Sequence, residues 1–345
     1  MTAHISKSSD KDPGSPTSIS VEARAAKACK RISYQVTQYS APRLLTQIMQ
    51  WLCARYINKV TTWLHRCLPV SVRLPSGFAF DPHDHIGSRV LASGIYESRE
   101  IQAAAWLLSK FDSASGVMVD VGAHIGVYSC VLCRYFKRVI AFEPNPRVFM
   151  LLQYNCFNLH NVDFRQVALA DSQSTEYLGV DRCNTGHAEL GGGNTSNFSE
   201  MDVYFVPTDT LDAQLVSLDI PVRFIKIDVE GEECRVIRGA EKILKRDRPI
   251  ISFEYVQEFQ ADNDINVYDF LISYDYRIFV VEHRHLSKYE ILNALHRLIV
   301  SPELNMVELI ERPQLDSRLL FAVPSELVVN LEEIEKNGLD KVARA

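Results

Sequence analysis

From residue 117 onward, short apolar runs alternate with stretches whose apolar positions recur every three to four residues. Runs at 117–121, 139–142, 162–167, 202–206, 223–228, 249–254, 275–281 and 318–323 are strand-length and bounded by turn formers, and each predicts a strand. The periodic stretches between them predict crossover helices. Strands buried on both faces read as continuous apolar runs, so the pattern is that of an α/β fold: a mostly parallel sheet with helices on both sides. The final two runs predict a closing pair at one edge. Upstream, Asp84-His-Ile-Gly, then Gly94-Ile-Tyr-Glu97, then an apolar-periodic helix from Glu100 make residues 74–110 a segment placed to cover a ligand entrance.

The ends of the chain read differently. Residues 1–20 are polar, with Pro13 and Pro16, and predict a disordered tail. Residues 21–73 predict a basic amphipathic helical extension. Between 44 and 68, Ile48, Trp51, Leu52, Ile57, Val60 and Leu64 are interrupted by Arg55, Lys59, His65 and Arg66, which leaves no uncharged span of about 18 residues to cross a bilayer. Two arrangements suit such a helix. It can lie on a membrane surface with Trp51 and Trp63 at headgroup depth, or pack against the catalytic domain or a second copy in a homodimer. A catalytic domain at 111–325 and a C-terminal helix or tail at 326–345 complete the plan. Within that domain, residues 182–200 carry Gly186, Gly191, Gly192 and Gly193 among several amides and predict a loop that acts as a substrate-facing lid.

Composition narrows the chemistry. A chain of 345 residues with 47% apolar content can bury one large core and an appendage. Net charge is −6, but residues 1–73 hold eleven Lys/Arg against three Asp/Glu, so the remainder carries −14. An acidic catalytic half gives a phosphate backbone no track and argues against nucleic acid as partner. Eight cysteines show no paired spacing; Cys130 and Cys133 fall at i and i+3 of a predicted helix and read as core. Free thiols and the lack of an apolar leader in the first twenty residues point to the cytoplasm, with the inner membrane surface as a peripheral site if 44–68 binds lipid.

Two constellations carry candidate chemistry. In Val117–Tyr128 a strand runs through Asp120-Val-Gly122-Ala-His-Ile-Gly126 into a helix, and the next strand ends in Glu143. An acid there is where doubly wound sheets bind a ribose diol. A dinucleotide site wants a third glycine and no carboxylate ahead of the turn, because a carboxylate repels pyrophosphate and attracts an ammonium or sulfonium. The charge logic therefore favours S-adenosylmethionine over a nicotinamide. Gly122, Ala123 and His124 would shape the loop and touch the cofactor; Asn145 either caps the next helix or borders adenosine; Asp171 either meets the adenine amino group or is a turn acid.

The second constellation is Phe224-Ile-Lys-Ile-Asp-Val-Glu-Gly231. Strand alternation puts Lys226 and Asp228 on one face, and Asp228, Glu230 and Glu254 fall at the carboxyl edge where such sheets bind ligands. Three readings stay open. Asp228 borders the methyl donor while His187, Glu230 or Glu254 accepts a hydroxyl proton; or Asp228, Glu230 and Glu254 hold Mg²⁺; or Lys226 merely neutralises the cluster. Asp209 and Asp212 beside Thr210 read as a helix start.

Asp120-Val-Gly-Ala-His-Ile-Gly126, Ala141-Phe-Glu-Pro-Asn-Pro146, Ile225-Lys-Ile-Asp-Val-Glu-Gly231 and Arg248-Pro-Ile-Ile-Ser-Phe-Glu254 occur in that order, and together they resemble the FkbM family of S-adenosylmethionine-dependent methyltransferases. His124 stands where that family very often has Asn. The resemblance implies a Rossmann-like class I methyltransferase fold with a mostly parallel seven-stranded sheet. It also implies methylation of a hydroxyl on a small-molecule or glycan acceptor. The competing class is a non-catalytic cofactor-binding module tethered by its basic N-terminus; intact Asp120, Glu143, Asp228 and Glu230 argue against that decay.

Overall fold

The computed structural model describes residues 74–191, 201–256, 266–281, 306–313 and 318–328. The predicted tail at 1–20, the extension at 21–73 with its 44–68 helix, residues 192–200 of the predicted loop and residues 329–345 lie outside the described residues.

The main sheet is built on five parallel strands: β1 (Val117–Val121), β2 (Arg138–Phe142), β3 (Val162–Arg165), β8 (Val222–Ile227) and β9 (Ile250–Tyr255). They lie in the order β3-β2-β1-β8-β9. Three antiparallel strands extend the β9 edge: β12 (Arg318–Pro324), β10 (Tyr276–Val281) and β11 (Met306–Glu308). The described sheet thus has eight strands, not the seven expected. The additional strand is β11, three partly exposed residues too short to register as an apolar run.

A further correction concerns 202–206. That run belongs to β7 (Met201–Asp209), which lies in a separate four-stranded sheet with β4 (Ala168–Leu169), β5 (Ser174–Asp181) and β6 (Ala188–Gly191), in the order β4-β7-β5-β6. Its burial explains why: Val203 and Phe205 are exposed while Val206 is buried, the period-two pattern of a strand covered on one face only. The expected strand at 162–167 likewise divides, ending at Arg165 before β4 turns into the second sheet. Part of the predicted 182–200 loop is strand β6, hairpinned onto β5, and among the described residues the loop spans 182–187.

Alternation along the parallel strands separates two cores. Met118, Val139, Ala141, Phe224 and Ile250 face α2 (Ser98–Lys110), α3 (Val127–Leu132) and α4 (Pro146–Asn155). Val119, Val121, Ile140, Phe142, Ile225, Ile227, Ile251 and Phe253 face α5 (Leu211–Gln214), α6 (Glu233–Arg238), α7 (Glu241–Asp247) and α8 (Val267–Ser273). A shorter helix, α1 (His85–Ser93), precedes α2 and is capped by Asp84, whose carboxylate accepts the Ile86 and Gly87 N–H groups. Thr210 caps α5 by accepting the Ala213 N–H, as the flanking acids predict. Cys130 and Cys133 are buried free thiols, matching their reading as core.

Arg235 of α6 ties the small sheet to the main body. Its guanidinium donates to Glu176 of β5 at 2.7 Å, to Asp171 at 3.1 Å and to Glu232 at 2.9 Å. Glu176 is 8% exposed, so removing its partner would strand a nearly buried carboxylate. Arg235→Ala should lower unfolding stability by about 2 kcal/mol after allowance for the partial exposure of the cluster. Urea titration checks this; a loss under about 0.5 kcal/mol would mean that water already screens the pairs.

Candidate active site

The glycine loop after β1 is fixed by its own backbone. Gly122 and Gly126 have φ of +69° and +87°, the left-handed region that side chains disfavour. A Cβ on Gly122 would lie 1.9 Å from the Asp228 carbonyl oxygen, so only glycine lets the loop pass the end of β8. The Gly122 and Ala123 N–H groups both donate to the Phe142 carbonyl, the His124 N–H to Glu143 Oε2, and the Gly126 N–H to the Ala123 carbonyl. Donors that a pyrophosphate would need are therefore spent inside the protein.

Beneath the loop lies a buried row of polar groups. Strand register sets Asp120 beside Lys226, and Lys226 beside Ser252. The Lys226 ammonium is 3.0 Å from the Gly122 carbonyl and 3.0 Å from Asp228 Oδ2, and stands 5.3 Å from the Tyr128 ring centre. Burial opposes its charge, but Asp228, Asp120 and Glu97 outweigh that and raise its pKa. Asp120 accepts the Ser129 hydroxyl at 2.6 Å and is fully buried; burial raises its own pKa.

Above the carboxyl edge opens a cleft enclosing about 880 Å³ of empty space, part of it open solvent. Glu97, Glu143, Asp228, Glu230, Glu232 and Glu254 line it, and among the described residues neither lysine nor arginine does. Its apolar wall comes from Phe142, Val167, Ala168, Leu169, Leu178 and Leu190. Glu143 closes β2, with one oxygen taking the His124 N–H and the other the Asn145 N–H, both at 2.8 Å. Burial pushes its pKa up to about 7. The nearest carboxylate atoms of Asp228, Glu230 and Glu254 lie within 4.8 Å of one another, a spacing that suits a shared proton or a hard cation. Glu230 rises to about 8, through burial first and then the charges of Asp228 and Glu254.

His124 joins three elements. Thr185, in the 182–187 loop, donates both its N–H and its hydroxyl to Asp84 Oδ1, at 2.6 and 2.8 Å. With that hydroxyl proton committed, Thr185 Oγ1 accepts from His124 Nε2 at 2.9 Å. Burial lowers the His124 pKa to about 4, so the ring is neutral and its Nδ1 is an acceptor, buried and without a partner among the described residues.

The structure brings Gly122, His124, Glu143, Asp228, Glu230 and Glu254 together on the cleft. It places Asp120, Ala123, Gly126 and Asn145 behind that surface: Asn145 caps α4 through the Arg147 N–H. Asp171 sits outside the lining, ion-paired with Arg235, and His187 lies outside it 3.4 Å from Glu189. Sequence reasoning assigned no role to Tyr96, Glu97 or Thr185, which also line the cleft. Glu97 had one visible signal, a carboxylate ending Gly94-Ile-Tyr-Glu just ahead of a helix. With His124 and Glu230 it belongs to the non-glycine residues at positive φ (50°, 49° and 53°), and all three of these line the cleft.

Residues 120–278 match the family model described as the methyltransferase FkbM domain. Hexuronic acid methyltransferase AglP of Haloferax volcanii is 28% identical over 152 residues, which span 44% of this chain and 61% of that relative. Among solved structures, methyltransferase FkbM from Methylobacillus flagellatus KT shares 16% identity at a TM-score of 0.37, covering 61% of this chain and 44% of that one. Magnesium protoporphyrin IX methyltransferase from Synechocystis PCC 6803, solved with bound SAM, shares 12% at a TM-score of 0.37, covering 79% and 96%. Superpositions this loose decide nothing about the site. The sequence match and the motifs agree on one conclusion: between residues 120 and 278 this chain is similar to the methyltransferase FkbM domain.

Proposed function

We propose that this protein is an S-adenosylmethionine-dependent methyltransferase that methylates a hydroxyl of a sugar-containing acceptor. The observation that carries the reading is the cleft's lining of six carboxyl groups, with no lysine or arginine among the described residues that line it, a surface suited to a cationic ligand. AglP, which acts on hexuronic acid by its name, supports the sugar. The residues fit the cofactor part by part. Glu143 at the end of β2 would hold a ribose diol, the Phe142–Leu169 wall a flat base, and the unpartnered His124 Nδ1 an ammonium N–H. When bound, S-adenosylmethionine supplies an electrophilic methyl carbon on a good leaving group.

What this chain must add is alignment and a proton acceptor. Asp228 is held at the cleft edge by its ion pair with Lys226. Glu230 is the group placed to take the acceptor's hydroxyl proton: it lines the cleft, and its pKa of about 8 lies close to a working pH, where a general base is most effective. The same three carboxylates could instead hold a divalent cation. The proposal commits to Glu230 as base, so chelation by EDTA should leave turnover within about twofold, and a strict Mg²⁺ requirement would replace this assignment.

Calorimetry should show S-adenosylhomocysteine binding and no binding of NADH. Glu143→Gln should weaken the former by roughly tenfold or more, the scale of a hydrogen bond to a charged group. Tight NADH binding would end the cofactor reading.

A second set of outcomes concerns pH. The rate under kcat/KM conditions should climb with pH up to about 8 and level off, since the ionised Glu230 is the active form. Glu230→Gln should cost at least roughly a hundredfold and remove the inflection. The sign for stability is opposite. A folded pKa raised above the unfolded value gives stability present below the unfolded pKa and lost as pH rises toward 8, so Glu230→Gln should flatten the fall of Tm between pH 5 and 8. A profile unchanged by the substitution would remove Glu230 from both roles.

A further inference from the structure

A second hollow adjoins the cleft and, unlike it, has arginines among its described lining residues. It encloses about 750 Å³ of empty space, open to solvent, between α1 and the start of α2. Its cavity volume is about 350 Å³, at the lower end of the roughly 300–1,000 Å³ typical of small-molecule sites. Its charged and ionisable lining is His85, Arg89, Glu97, Arg99 and Glu100. Tyr96 and Glu97 belong to both walls, so a molecule in the hollow lies next to the cleft.

We propose that this hollow binds the anionic group, carboxylate or phosphate, of a saccharide acceptor whose hydroxyl then reaches the cleft past Tyr96 and Glu97. The inference rests on reading the cleft as the cofactor site. Its basis is the sorting of charge: two guanidiniums lie on this side, while no lysine or arginine is among the described residues that line the cleft. His85 and Arg89 are four residues apart on α1 and share a face. Arg89 is exposed and has no acidic partner among the described residues, so its planar fork is available to a carboxylate or phosphate in a way an ammonium would not match. Arg99 also lines the wall and already interacts within the fold. Of the two acids, Glu97 is pushed up to about 8, mainly by burial, and is largely uncharged at pH 7. That leaves Glu100 against both arginines.

The test uses the full chain and three probes, glucuronate, glucose 6-phosphate and the neutral glucuronamide. Affinities are read by saturation-transfer NMR titration at low salt, with and without S-adenosylhomocysteine. At least one anionic probe should bind roughly tenfold tighter than the amide, and which one does so identifies the acceptor's anion. Arg89→Ala should reduce that probe to the level of the amide, and Arg89→Lys should retain part of the preference. Both variants should bind S-adenosylhomocysteine like the wild type. Failure of both anions to outbind the amide, or an equal loss of anion and amide in Arg89→Ala, overturns the proposal. A wild-type chain that prefers the anion yet ignores S-adenosylhomocysteine would sink the cofactor reading and leave this one standing.

Discussion

Lys226 puts a positive charge in the middle of the sheet, on the face that packs against α3, with Asp120 beside it on β1 and Asp228 two residues further along β8. A lone ammonium there would be costly, and so would either carboxylate without it. Together they set the geometry of the whole edge. The ammonium donates to the Gly122 carbonyl, which pins the glycine loop to β8. The loop in turn pins β2 through the Phe142 carbonyl and the Glu143 carboxylate. One buried cation thus fixes the positions of groups drawn from three strands. The acidity of the cleft follows from it, because the lysine is spent below the floor and leaves the surface above to the acids.

The fold was largely legible because its strands are short, doubly buried and separated by periodic helices. The small sheet was less so. Its strands are covered on one side, so Val203 and Phe205 lie exposed and the run looked like any other apolar segment until its neighbours were known. β6 hid inside a glycine-rich stretch, where Ala188-Glu-Leu-Gly191 offers no β-branched residue to mark a strand.

At the site, the residues that ended strands could be read directly: Glu143, Asp228 and Glu254 fall at the carboxyl edge because register and alternation leave them nowhere else to go. Residues arriving from other parts of the chain could not. Glu97 and Thr185 reach the cleft through a helix start and a hairpin loop, and no local pattern encodes that meeting. Asp171 illustrates the converse. It follows the third strand as a cofactor acid might, yet Arg235, sixty-four residues away, claims it.

The small sheet has a bearing on how such proteins diverge. It contributes Leu178, Ala188 and Leu190 to one side of the cleft, yet among the described residues none of its strands pairs with the parallel layer. Its anchorage includes the Arg235 cluster and the Thr185–Asp84 bonds, each of which has a side chain as at least one partner. A unit fastened in this way can be remodelled, lengthened or grafted without disturbing the strand register beneath it. Substitutions in it would alter the shape offered to incoming molecules while leaving the parallel strands paired as they are.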